Sequence, residues 1–193
     1  KKAWKELGLK KRIELLTPLL NQIEKRKEEL ALVTTQEMGK SIRESRDDIS
    51  WDLDYLKSFF KLGAEYLKDE VTYEQGNSLH KIIYEPIGSA AVITPWNFPF
   101  DMFLWGVIPN LIAGNTVVFK HSEETPLIGK IAEEMIKALH LPDGVFSEIY
   151  GDGKIGAQLV SQNVDFIWFT GSSAVGKKLF ELAGKKFIKS TME

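Results

Sequence analysis

The chain has 193 residues, room for one large domain or two small ones, and its 44% hydrophobic and 27% charged residues form an ordinary globular balance that argues against disorder. A formal net charge of −2 removes the electrostatic case for nucleic acid or an anionic membrane, and the longest apolar run, residues 98–113, is broken by Asp101, Gly106, Pro109 and Asn110 before it could span a bilayer. With no cysteine, disulfides, thiolate metal sites and cysteine catalysis are excluded within these residues; no metal is expected, and the cytoplasm is the default compartment.

The chain opens on Lys1-Lys2-Ala3-Trp4, already amphipathic and without a leader pattern, and ends on Thr191-Met192-Glu193 without a terminator. The expectation is a piece of a longer protein. Leu9, Ile13, Leu16, Leu20, Ile23, Leu30 and Val33 recur at helical spacing over residues 9–37. Pro18 should start or kink this helix, with Thr17 as its cap, and Gly39 should close it. A second helix is predicted over 41–67, with Ile42, Ile49, Leu53, Leu56, Phe60 and Ala64 facing inward, antiparallel to the first. Gln75-Gly76-Asn77 reads as a turn between short strands at 71–73 and 79–84.

The texture changes at Pro86. Strands predicted at 90–93, 116–119, 146–150 and 166–169 alternate with helices at 100–113, 126–139, 155–161 and 174–184, and 187–192 reads as one more strand. Alternation of this kind implies an α/β fold, a parallel sheet with helices on both faces, preceded here by the helical N-terminal segment. The expected division is 1–86, helices plus strand pair, and 87–193, a Rossmann-like region. Ligands in such sheets sit at the carboxyl ends of the strands.

Four strand-to-helix junctions therefore carry the chemistry. Thr94-Pro95-Trp96-Asn97-Phe98-Pro99 fixes an amide side chain between two prolines, which suits a donor to a developing oxyanion; a turn with Asn as helix cap is the plainer alternative. Lys120-His121-Ser122-Glu123-Glu124-Thr125-Pro126 offers a Lys and acids for ribose hydroxyls, or simply a helix start capped by Ser122 or Thr125. His121 reads as an exposed loop residue with no role. Gly151-Asp152-Gly153-Lys154-Ile155-Gly156 is formally G-x-G-x-x-G, but no convincing acid follows about 20 residues on, and a glycine turn with no ligand serves as well. Phe169-Thr170-Gly171-Ser172-Ser173-Ala174-Val175-Gly176 places small residues and N–H groups where a phosphate would lie; a tight turn is again the alternative.

Pro95-Trp96-Asn97-Phe98-Pro99, then Phe119-Lys120-His121-Ser122-Glu123, then Phe169-Thr170-Gly171-Ser172 with Gly176, in that order and spacing, resemble the aldehyde dehydrogenase superfamily. Glu37-Met38-Gly39-Lys40 and Glu85-Pro86-Ile87-Gly88 extend the likeness over essentially the whole chain. The resemblance implies an oxidoreductase that oxidises a small aldehyde, with a semialdehyde such as succinate semialdehyde among the candidates, to the acid with NAD in preference to NADP. It makes Asn97 the side-chain half of an oxyanion hole and Glu193 the general base. Lys120 and Glu123 would bind the adenosine ribose hydroxyls, Thr94, Pro95 and Trp96 would line the cleft, Ser172 would touch the pyrophosphate with Gly171 and Val175 packing nearby, and Ser122 and Phe169 would also be cofactor-binding. Gly153 and Gly156 would let the adenine half lie close. It further implies a homodimer or homotetramer. The family's nucleophilic cysteine is missing, so these residues alone should bind and not turn over. Members often carry Pro where His121 stands. Two alternatives are a non-catalytic dinucleotide-binding module and a dehydrogenase that acylates coenzyme A.

Overall fold

Pro18 divides the first helical stretch in the computed structural model, which describes all 193 residues: α1 (Lys2–Glu6) and α2 (Gly8–Leu16) precede it and α3 (Leu19–Met38) follows. A proline nitrogen cannot donate, so the ladder restarts there. Thr17 is no cap; its hydroxyl donates back to the Ile13 carbonyl at 2.7 Å, finishing the preceding helix instead. Gly39, at φ +82, closes α3 in a left-handed turn that a side chain would strain. Ser41 then opens α4 (Ile42–Tyr66) with a reciprocal cap, its hydroxyl accepting from Glu44 N and the Glu44 carboxylate accepting from Ser41 N. The two long helices run antiparallel, because Arg46 pairs back to Glu28 and Ser45 to Thr35. Ala64, expected inward, is exposed: by that turn the inward stripe of α4 has passed to Gly63, whose missing Cβ would lie 2.8 Å from Ile112.

A hairpin follows, β1 (Glu70–Gln75) against β2 (Ser78–Ile82), every residue of it exposed. Then the α/β alternation begins: β3 (Ser89–Ile93), α5 (Pro99–Ala113), β4 (Thr116–Lys120), α6 (Pro126–Lys137), β5 (Phe146–Glu148), α7 (Gly153–Ser161), β6 (Phe166–Phe169), α8 (Ser173–Lys186) and β7 (Lys189–Met192). The five strands from β3 onward are all parallel, in the order β5-β4-β3-β6-β7. The chain starts in the middle, winds outward to β5, then returns to the other side of β3. That reversal leaves a crevice at the carboxyl ends of β3 and β6.

Strand alternation splits the core in two. Ala90 and Val92 of β3 belong to a cluster of 27 buried residues with α1 to α6, whereas Ala91 and Ile93 belong to a cluster of nine with α7, α8 and β6. The N-terminal helices thus share the larger core with α5 and α6. At Gly106 in α5 an added Cβ would lie 2.6 Å from Val92 and 2.8 Å from Trp168, so the helix rests directly on the sheet. The C-terminal carbonyls of α5 are satisfied from the N-terminus: Trp4 Nε1 donates to Leu111 O and Arg12 Nε to Ile112 O. No helix is long and apolar enough to cross a membrane.

Candidate functional site

A cleft of about 830 Å³ opens at the crevice between β3 and β6. Its walls come from every junction singled out in the sequence. The β3–α5 loop brings Thr94, Pro95, Trp96 and Asn97; the end of β4 brings Lys120, Ser122 and Glu123; α7 brings Gly153 and Gly156; β6 and the start of α8 bring Phe169, Gly171, Ser172 and Val175; and Glu193 follows β7. Ile93, Ala157, Thr170, Lys178 and Leu179 complete it. Lys178 went unnoticed in the sequence although it lies one helical turn beyond Val175, the spacing that puts both on one face.

Asn97 is exposed on its loop and does not cap α5, whose N-cap is Phe98 with no side-chain bond. Its amide is therefore free to donate. Lys120 is 97% buried by its surroundings, yet its Nζ reaches His121 O at 3.0 Å and Glu123 Oε2 at 3.3 Å. Glu123 titrates below the usual carboxylate range, first because its own backbone N–H bonds the carboxylate and then because of Lys120, so it stands ionised at neutral pH. Ser172 caps α8, accepting from Val175 N at 3.4 Å. Thr170 Oγ1 donates to Glu193 Oε2 at 3.3 Å, and Glu193 is tied by backbone bonds to Phe169 and Gly171, which fixes its carboxylate at the rim.

Two capping expectations do not hold. Ser122 accepts from Glu124 N in a local turn, and Thr125 occupies the N-cap of α6 without making a side-chain bond. The cap comes from α3 instead: Glu37 accepts from Leu127 N at 2.7 Å and Ile128 N at 2.9 Å. A carboxylate 90 residues away takes the positive end of α6, leaving Ser122 and Thr125 unneeded there. His121 also departs from expectation. It is buried, 4% exposed, because its ring pairs with the carboxylate of Glu148 on the neighbouring strand.

Beside the Phe98 ring lies a partly buried ionic group. Lys40 Nζ bonds Asp48 at 2.5 Å and sits 3.6 Å from the centre of the Phe98 ring. Asp52, fully buried with neither carboxylate oxygen partnered, and Asp101 in the first turn of α5 face the same group. Desolvation pushes both acids up, and for Asp52 the charge of Asp101 adds to it.

Two features fit a dinucleotide. Thr94 Oγ1 is buried at the cleft with no partner in the protein, a polar atom that a bound group would satisfy. Gly153 faces open space, where nothing lies within 4 Å of an added Cβ, so a ligand can approach the backbone.

A doubly wound parallel sheet with a loop-built cleft at its switch point defines an α/β protein of the class whose ligands lie at that crevice. The chain belongs to the aldehyde dehydrogenase family, whose model matches residues 1–193. It is 36% identical over 186 residues to the 1-pyrroline-5-carboxylate dehydrogenase of Staphylococcus saprophyticus, covering 95% of this chain and 36% of that protein. It is 33% identical over 193 residues to the succinate-semialdehyde dehydrogenase [NADP(+)] GabD of Escherichia coli K12, covering 99% and 40%. The structure of PnpE in complex with nicotinamide adenine dinucleotide superposes with a TM-score of 0.91 at 33% identity, over 100% of this chain and 40% of that one. The chain thus spans about two fifths of the length of these relatives.

Proposed function

We propose that these residues form the cofactor-binding and oxyanion-holding part of an NAD-dependent aldehyde dehydrogenase. The expected substrate is a small aldehyde, a semialdehyde such as succinate semialdehyde among them, and the product its carboxylic acid. The observation that carries the reading is the convergence of Asn97, Lys120, Glu123, Ser172 and Glu193 on one cleft from four separate stretches of chain.

Bound NAD would accept the hydride that leaves the substrate carbon. Lys120 and Glu123, already paired, would take the ribose hydroxyls, Lys120 as donor and Glu123 as acceptor. Ser172 and the free N–H groups of the first turn of α8 would hold the pyrophosphate, favoured by the helix dipole. Asn97 would donate its amide to the substrate oxygen as charge develops there, and the two prolines beside it mean that little reorganisation is needed. Glu193 would draw a proton from the attacking thiol or water. The chain has no cysteine, so the thiol must come from elsewhere in the protein, and in this reading these residues alone are inactive.

Glu123 supports NAD over NADP, since an ionised carboxylate accepts from a 2′-hydroxyl and repels a 2′-phosphate. The hairpin, with Val71, Leu79 and Ile82 all exposed, is the surface we expect a homodimer or homotetramer to cover.

In the intact enzyme Asn97→Ala should lower kcat by about 10²–10³, the scale of one lost oxyanion donor, while KM for NAD stays within about a factor of 2. Equal losses in both would show that Asn97 merely shapes the loop.

A further inference from the structure

The buried His121–Glu148 pair lies outside the chemistry above, and its surroundings say what it is for. The imidazole is 4% exposed, and Nδ1 pairs with Glu148 Oε1; the Glu148 side chain is wholly buried and its second oxygen has no partner. Helix α6 makes room for the pair by having no side chain at Gly129. A Cβ there would lie 2.3 Å from His121 Nδ1 and 2.6 Å from Glu148 Oε1, distances at which something must move. The Tyr150 ring meets the imidazole edge-on at 4.8 Å, and its hydroxyl donates to Glu133 on the same helix at 3.3 Å. The ring is thus wedged between the end of β4, the end of β5 and α6.

Its backbone faces the other way. Lys120 Nζ donates to the His121 carbonyl at 3.0 Å and to Glu123 at 3.3 Å. The carbonyl that holds the ammonium therefore belongs to the residue whose side chain is locked beneath the sheet edge.

We propose that His121 is a positioning residue for the cofactor cleft, held by Glu148 and by the space at Gly129, and that this lock sets where Lys120 and Glu123 stand to receive the ribose of a dinucleotide. The lock rests on the nucleotide reading of the cleft. It assigns His121 no contact with cofactor or substrate.

The test measures NAD affinity by calorimetry, together with kcat, in the intact protein. His121→Ala should weaken NAD binding about tenfold with kcat within about a factor of 2, as expected when a binding group is misplaced and the reacting groups are not. Gly129→Ala should weaken it too, because the new methyl must push the imidazole aside. The double variant His121→Ala/Gly129→Ala should bind NAD no worse than His121→Ala alone, since the imidazole that the methyl would displace is gone. Glu148→Gln keeps an acceptor for an imidazole N–H and should stay within about a factor of 2 of the unaltered protein, whereas Glu148→Ala should match His121→Ala.

NAD affinity unchanged in His121→Ala, with only the melting temperature lowered, would overturn the lock and leave a plain core pair. Strictly additive effects in the double variant would overturn it as well. If His121→Ala does not fold, Gly129→Ala and Glu148→Ala decide by the same criteria. An unaltered protein that binds no NAD sinks the nucleotide reading and the lock together; binding that no variant disturbs sinks the lock alone.

Discussion

The two faces of the parallel sheet are built differently. One carries 27 buried residues, including Trp4, Phe100, Phe103 and Phe119, under helices that close over them. The other carries nine, and its outer helix leaves Phe180 and, at its end, Phe187 in solvent. Yet the thin face holds most of the ligand-side backbone: Gly153 and Gly156 on α7, Gly171 and Ser172 at the start of α8. The thick face holds none of the glycines that face the cleft. Small residues that let a ligand near the main chain cannot also fill a core, so the sheet places packing on one side and backbone access on the other.

The sharpest way to break this contrast is to remove a large side chain from the thick face. Phe103 is fully buried and packs against Phe100, Phe119 and Phe146. Phe103→Ala should cost about 3–5 kcal/mol in denaturant unfolding, the scale for deleting a buried aromatic. A cost near 1 kcal/mol would mean that the larger cluster does not carry the stability assigned to it.

The same face contains its own weakness at Asp52. Burial raises its pKa, so the folded state keeps a proton that the unfolded chain releases above about pH 4. Its contribution is therefore complete below that pH and is lost progressively as pH rises toward the folded value. Asp52→Asn removes the titration and leaves the shape. At pH 8 it should stabilise the protein by about 1–3 kcal/mol, with the gain vanishing near pH 4. A gain that does not change with pH would show that the carboxylate is not the cause.

Legibility in the sequence followed the range of the interactions. The strand–helix alternation and the four junctions were readable because each rests on local signals: Gly39, the Pro95–Pro99 bracket, the small residues from Gly171 to Gly176. The cleft was readable because parallel strands bring their carboxyl ends to one edge whatever their order. What escaped was long-range. Glu37 caps a helix 90 residues on, and nothing beside Leu127 announces it. His121 looked exposed because its neighbours Ser122, Glu123 and Glu124 are polar; its burial depends on Glu148, 27 residues away, and on a glycine whose only signal is an absent side chain. Thr17 failed for a different reason, since a hydroxyl can bond backward to its own helix as readily as it caps the next.

The smallest effect tests whether the rim of the cleft is as separable from the core as its construction suggests. Glu123 is half-exposed at the mouth, paired with Lys120, and ionised. Glu123→Gln keeps an acceptor for a ribose hydroxyl and deletes the charge that would repel a 2′-phosphate. The ratio of NADP to NAD binding constants should then move toward NADP by a factor of about 5, the roughly 1 kcal/mol scale of a screened charge contact, with no change in unfolding midpoint. An unmoved ratio means that Glu123 does not read the ribose. A moved ratio accompanied by lost stability means something else: Lys120, buried and left with only the His121 carbonyl, was being held by that carboxylate, and the rim is then part of the core after all.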